Sequence, residues 1–139
     1  MPHYETIDHS ADLKLRFRGA TLELLFEHAA RGLFEYAIDG LARQNAGAER
    51  PIALAAIDDR ELLVDWLNEL LFLLDARAEL HAWPHLDRVD SGQLTGRTGF
   101  VTIDRAVQRL RNPVKAATYH DLRLEQSADG WLGEVLFDL

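Results

Sequence analysis

The segment from Asp58 to Leu74 is the feature that most restricts how this chain of 139 residues can fold. Asp58, with Glu61 three residues later, forms a capping-box pattern that marks the start of a helix. Apolar residues then recur at helical spacing, at Leu63, Trp66, Leu67, Leu70, Leu71 and Leu74. This spacing predicts a helix whose apolar stripe belongs to the core. The run is too short, and too often interrupted by polar residues, to span a bilayer, so a soluble protein is expected.

A strand and a second helix are predicted nearer the N-terminus. Leu13, Leu15 and Phe17 alternate with charged residues, which is the pattern of a strand with one buried face, and Tyr4 to Ile7 is expected to pair beside it. Thr21 can cap a helix that ends near Ile38. Its apolar residues share one face: Leu22, Leu25, Phe26, Ala29, Leu33 and Phe34.

The rest of the chain predicts strands. After a loop that includes Pro51, one strand is expected at Ile52 to Ala56. Further short runs of strand-forming residues cover 83–89, 94–103, 114–119, 122–124 and 131–137. Asp129-Gly130 indicates a hairpin before the last of them. The sequence therefore predicts a single α+β domain over residues 1–139, with two main helices packed on a largely antiparallel multi-stranded sheet.

Composition and charge exclude several classes of function. The chain has no cysteine, which excludes disulfides, thiolate metal sites and cysteine nucleophiles and leaves oxygen and imidazole as metal ligands. Its formal net charge of −8 disfavours tight binding to a phosphate backbone, so any contact with RNA should be indirect, through a protein partner. Residues 1–13 lack the pattern of a targeting peptide, so a cytoplasmic protein is expected and no membrane partner.

Two segments could hold a metal ion, in a chain without a phosphate-binding loop or a familiar hydrolase motif. One is Asp8-His9-Ser10-Ala11-Asp12, between two predicted strands, and the other is Phe137-Asp138-Leu139. Carboxylate oxygens from both segments would suit Ca²⁺ or Mg²⁺ better than zinc. The alternative is that the N-terminal aspartates accept hydrogen bonds within a turn while Asp138 is merely solvated. Spacing alone does not decide between these interpretations.

Three separated segments together resemble the archease family. They are His9-Ser10-Ala11-Asp12, the stretch 62–71 with sequence LLVDWLNELL, and the stretch 114–120 with sequence VKAATYH. The resemblance extends over nearly the whole chain, through Gly19, the helix start at Thr21 and an end at an aspartate followed by one aliphatic residue. It implies a protein cofactor, not itself an enzyme, that activates the GTP-dependent RNA ligase of tRNA splicing and RNA repair by promoting its guanylylation and multiple turnover.

The resemblance also implies a metal site. Its ligands would be the carboxylates of Asp12 and Asp138 and a main-chain oxygen of Leu139, around a divalent ion, with Ca²⁺ as the first expectation and Mg²⁺ or Mn²⁺ as the others. Lys115, His120 and His9 are candidates for residues that face the partner. The plainer interpretation of Lys115 and His120 is that a lysine on a strand and a histidine at a strand end are simply exposed.

Other functions remain open at this point. A metal-dependent hydrolase could use the Asp and His residues, although it would need a general base and an open metal position beside a cleft. A third possibility is an adaptor whose ion only stabilises it. The oligomeric state is left open by the sequence.

Overall fold

The computed structural model describes residues 3–7, 12–38, 40–41, 45–103 and 113–139. Within this part of the chain there are two α-helices and seven β-strands. In chain order they are β1 (Tyr4–Ile7), β2 (Leu13–Gly19), α1 (Leu22–Ala37), β3 (Ala48–Ala55), α2 (Asp59–Arg77), β4 (Glu79–Asp90), β5 (Gln93–Thr102), β6 (Ala116–Ser127) and β7 (Gly130–Asp138). Among the described residues, no helix is long and apolar enough to cross a membrane.

Both helices begin where the sequence predicts. The Thr21 hydroxyl accepts a hydrogen bond from the backbone N–H of Leu24 at 3.1 Å, and the Asp58 carboxylate accepts one from Glu61 at 2.8 Å. The Glu61 carboxylate in turn accepts from the backbone N–H of Ile57 at 3.2 Å. These bonds satisfy backbone donors that have no partner inside a helix, which is why these two residues start the helices.

The strands divide between two sheets. One sheet has four strands in the order β1-β2-β7-β6, the other has three in the order β3-β5-β4, and all neighbours are antiparallel. The predicted α+β class, with two helices packed against antiparallel strands, is confirmed. The prediction did not divide the strands into two sheets.

Both helices contact strands of both sheets, because each has apolar residues to cover on more than one side. Helix α1 packs against β2 and β4, and α2 packs against β6 and β4. In α2 the buried set extends beyond the predicted stripe to Leu62, Val64 and Leu73. A helix that is apolar on most of its circumference needs cover from more than one layer, which a single sheet does not provide.

Strands β3, β4 and β6 differ most from their predicted bounds, and β4 (Glu79–Asp90) extends beyond the run predicted at 83–89 at both ends. Strand β3 starts at Ala48, before Pro51, and it is an edge strand, where a residue without an N–H is tolerated. Strand β6 joins the two runs predicted separately at 114–119 and 122–124. Its register against β7 shifts between Thr118 and Arg123, which makes a bulge, and Asp121 there has φ 53°.

Candidate functional site

The register of β2 against β7 brings the two predicted carboxylate ligands together. Leu13 pairs with Phe137, and both side chains are buried in the core. Asp12 directly precedes Leu13 and Asp138 directly follows Phe137, so both residues lie at the same end of this strand pair. Asp138, the last residue of β7, is exposed, and Asp12 is partly exposed. Two segments at opposite ends of the chain thus meet at one end of the four-stranded sheet.

The chemistry of this strand end fits a hard cation. Carboxylate and main-chain oxygens are the ligands that Ca²⁺ and Mg²⁺ prefer in proteins. The carbonyl oxygen of Asp138 accepts a hydrogen bond from the backbone N–H of Lys115 at 2.9 Å, so Leu139 is the next residue with a main-chain oxygen to offer. No group of three or more His, Asp or Glu side chains suited to a metal occurs among the described residues. Two carboxylates would therefore need main-chain oxygens to complete the coordination.

The remaining predicted residues lie at different places. Lys115 is exposed and lines a cavity of about 570 Å³ together with Leu139, Phe72 and Asn68. His120 lies in the β6 bulge, where its Nε2 is 3.5 Å from a carboxylate oxygen of Asp121. The structure thus sets Lys115 beside the strand end that carries Asp138 and assigns His120 to an exposed bulge. His9 and the neighbouring Asp8 lie outside the described residues.

A second polar cluster, which sequence reasoning missed, lies on the three-stranded sheet. His81 Nδ1 is 2.6 Å from the Thr98 hydroxyl, and His81 Nε2 is 2.9 Å from the Glu79 carboxylate. Arg50 donates to the other oxygen of Glu79 at 2.7 Å. The order hydroxyl, imidazole, carboxylate is that of a nucleophilic triad, but His81 is 0% exposed and Thr98 1% exposed. A substrate has no access to this hydroxyl, so the cluster holds strands together.

The protonation of this cluster follows from its surroundings. Burial lowers the pKa of His81, although the bond to Glu79 partly offsets the effect. Burial also acts to raise the pKa of Glu79, but the hydrogen bonds from His81 and Arg50 outweigh it and leave that pKa below its usual value. An ionised Glu79 only accepts, so Nε2 of a neutral His81 carries the proton and Nδ1 accepts from Thr98.

Comparison with known proteins decides the family. A sequence model described as the archease protein family (MTH1598/TM1083) matches residues 4–139. The protein archease of Methanosarcina acetivorans is 34% identical over 143 residues, covering 98% of this chain and 95% of the relative. The protein archease of Methanothermobacter thermautotrophicus is also 34% identical, over the full length of both chains. This chain belongs to the archease family.

Solved structures agree with the archease fold. The solution structure of Methanobacterium thermoautotrophicum protein 1598 superposes with a TM-score of 0.81 at 32% identity and covers all of both chains. The crystal structure of a Thermotoga maritima archease, described as a possible chaperone, superposes with a TM-score of 0.65. At 22% identity over 97% of this chain and 96% of that one, it supports the fold alone.

Two of the segments that carry the archease resemblance contact each other in the fold. Asn68 in α2 donates to the carbonyl of Ala117 at 3.0 Å and accepts from its N–H at 2.8 Å. The same strand segment reaches the C-terminal end of β7 through the bond between Lys115 and Asp138. Side chains and backbone of the archease motifs therefore converge on the end of the sheet that carries Asp138.

Proposed function

We propose that this archease is an activator of a GTP-dependent RNA ligase and that it holds a divalent cation, with Ca²⁺ favoured over Mg²⁺ or Mn²⁺, in order to do so. The cation is held by the carboxylates of Asp12 and Asp138 and by a main-chain oxygen of Leu139. The observation that supports the proposal is the register of β2 against β7, which pairs Leu13 with Phe137 and so brings the chain segments that carry Asp12 and Asp138 to the same end of the sheet. The protein promotes guanylylation and multiple turnover of the ligase in tRNA splicing and RNA repair.

Each residue of the proposed site has a distinct role. When bound, the cation would supply positive charge at the end of the sheet that carries Asp138. Asp12 and Asp138 neutralise and orient it, and the backbone bond from Lys115 fixes the position of Asp138. The site lies at the surface, because Asp138 and Leu139 are both exposed, so a partner can reach it.

The charge of the molecule supports action through a protein partner. A net charge of −8 opposes direct association with phosphates, whereas a ligase must present a basic surface to hold RNA. An acidic activator and a basic ligase associate by charge complementarity, and RNA is reached only through the ligase. The proposal places both proteins in the cytoplasm.

The test is guanylylation of the purified ligase by GTP, with and without this protein at substoichiometric ratios. We expect each molecule of this protein to promote guanylylation of many ligase molecules, because an activator is released after each cycle. Bovine serum albumin at the same concentration controls for nonspecific stabilisation of the ligase. A ligase that is guanylylated at the same rate and to the same extent without the protein would overturn the proposal.

A further inference from the structure

Strand β6 is an edge strand whose free side is closed by side chains of α2 instead of another strand. It ends the order β1-β2-β7-β6. Asn68 bonds both the N–H and the carbonyl of Ala117, and Arg60 donates to the carbonyl of Leu122 at 3.0 Å. These side chains satisfy backbone groups that an unpaired edge would expose, so the strand and the helix form one rigid unit.

The bulge of β6, which α2 supports, exposes an aromatic ring to solvent. Tyr119 is 55% exposed, and its hydroxyl donates to the Asp65 carboxylate at 2.7 Å. This bond, together with some burial, raises the pKa of Tyr119 to about 12, so the hydroxyl stays protonated and the bond persists at any physiological pH. An exposed ring that is fixed in one orientation loses little entropy when a partner covers it.

A second exposed aromatic residue lies on the same side of α2. Phe72 follows Asp65 by seven residues and Asn68 by four, which places the three on one helical stripe. Phe72 is 56% exposed. The stripe also carries Glu61 and Glu69, so carboxylates lie beside the two exposed rings.

The net charge of helix α2 indicates the chemistry of a partner that would cover this stripe. Helix α2 contains five acidic residues, Asp59, Glu61, Asp65, Glu69 and Asp75, against two basic ones, Arg60 and Arg77. Phe72 also lines the same cavity as Lys115 and Leu139. A partner seated on the stripe therefore reaches the strand end of the proposed cation site.

We propose that Phe72 and Tyr119, with Glu61, Asp65 and Glu69 around them, form the docking surface for the RNA ligase; this inference rests on the proposed function. The matching surface of the ligase is basic, with an apolar pocket for the two rings. Buried aromatic anchors supply most of the affinity of such interfaces, and the surrounding charges set the association rate.

The test compares association of the ligase with the unaltered protein and with four full-length variants by isothermal titration calorimetry. Phe72→Ser and Tyr119→Ala remove one ring each, and Tyr119→Phe keeps the ring while losing the hydrogen bond. Leu24→Ser is the matched control, because Leu24 is an exposed apolar residue on α1, 38% accessible. We expect Phe72→Ser and Tyr119→Ala to weaken association about tenfold or more, and Leu24→Ser to leave it unchanged. At saturating concentrations all forms should stimulate guanylylation equally.

The outcomes separate this inference from the proposed function. If the unaltered protein neither binds nor stimulates the ligase, both fail. If it stimulates the ligase while Phe72→Ser and Tyr119→Ala bind as tightly as it does, only the docking surface is overturned. Sedimentation of each form tests for self-association: a dimer of the unaltered protein that Phe72→Ser dissociates would assign the surface to a second copy instead. Thermal unfolding identifies any loss that comes from a destabilised fold.

Discussion

Glu134 is a buried carboxylate on the face of the four-stranded sheet that is turned away from the helices. It is only 4% exposed, and it accepts hydrogen bonds or ion pairs from Arg16 at 2.6 Å and Arg123 at 3.3 Å. Burial alone would raise its pKa, but the bond from Arg16 and the charges of both arginines outweigh burial and hold the pKa of Glu134 below its usual value. The folded state therefore favours the ionised form.

This arrangement predicts how stability depends on pH. A carboxylate whose folded pKa is lowered contributes stability above its unfolded pKa, and that contribution is lost as pH falls through the folded value. Glu134→Gln should lower the free energy of unfolding at pH 7 by about 2 kcal/mol and flatten its decline below about pH 4.5. Urea unfolding at a series of pH values measures both effects. An unchanged acid slope in Glu134→Gln would show that Glu134 is not a source of the decline.

His81 also lowers the free energy of unfolding as pH falls, but at higher pH than Glu134 does. Its folded pKa is lowered, so below about pH 6.5 the unfolded chain takes up a proton that the folded protein does not. Stability therefore falls as the solution is acidified from that pH. Neither burial was predicted from the sequence, because each depends on contacts between strands. Arg16 meets Glu134 across the distant strands β2 and β7, and His81 meets Thr98 across the β4–β5 pair. The helix caps at Thr21 and Asp58 were predicted, because they depend on neighbours within a few residues.

Helix α2 acts both as core and as a substitute for a missing strand. Its apolar residues face both sheets, and Asn68 pairs with the backbone of Ala117 as a neighbouring strand would. The sequence located this helix well because its cap and its apolar period are local. The sequence predicted two separate strands where the structure has the β6 bulge. Residues 119–121 are all exposed, which interrupts the alternation of buried and exposed positions along the strand.

Replacing Asn68 tests this role. Asn68→Leu keeps a similar side-chain volume but leaves the N–H and carbonyl of Ala117 without their partners. We expect a loss of about 2 kcal/mol in unfolding free energy, together with faster amide hydrogen exchange at Ala117. The partly exposed Glu69 on the next position of α2 gives the control: Glu69→Leu should change neither quantity by much. Wild-type protection of Ala117 in Asn68→Leu would contradict the assigned role.

At the scale of the whole molecule, an N-terminal strand and the C-terminal strand are neighbours in one sheet. The segment that carries Asp12 and the segment that carries Asp138 reach the same end of the sheet, because β2 and β7 lie side by side in its middle. The strands themselves were predictable from alternation, but their order was not, since alternation does not specify which strands pair. The two carboxylates were selected from the sequence by resemblance to the archease family. The pairing of β2 with β7, which brings their two segments to one end of the sheet, is what the fold adds.

The most direct test of the account measures Ca²⁺ affinity and ligase guanylylation together in Asp138→Asn. Asparagine keeps the shape of the side chain while removing one negative charge from the proposed site. We expect Ca²⁺ affinity to fall about tenfold or more and stimulation of the ligase to be lost, while circular dichroism stays unchanged. Asp87→Asn, which removes an exposed aspartate from the other sheet, should match the unaltered protein in both measurements. Full Ca²⁺ affinity and full stimulation in Asp138→Asn would contradict the account.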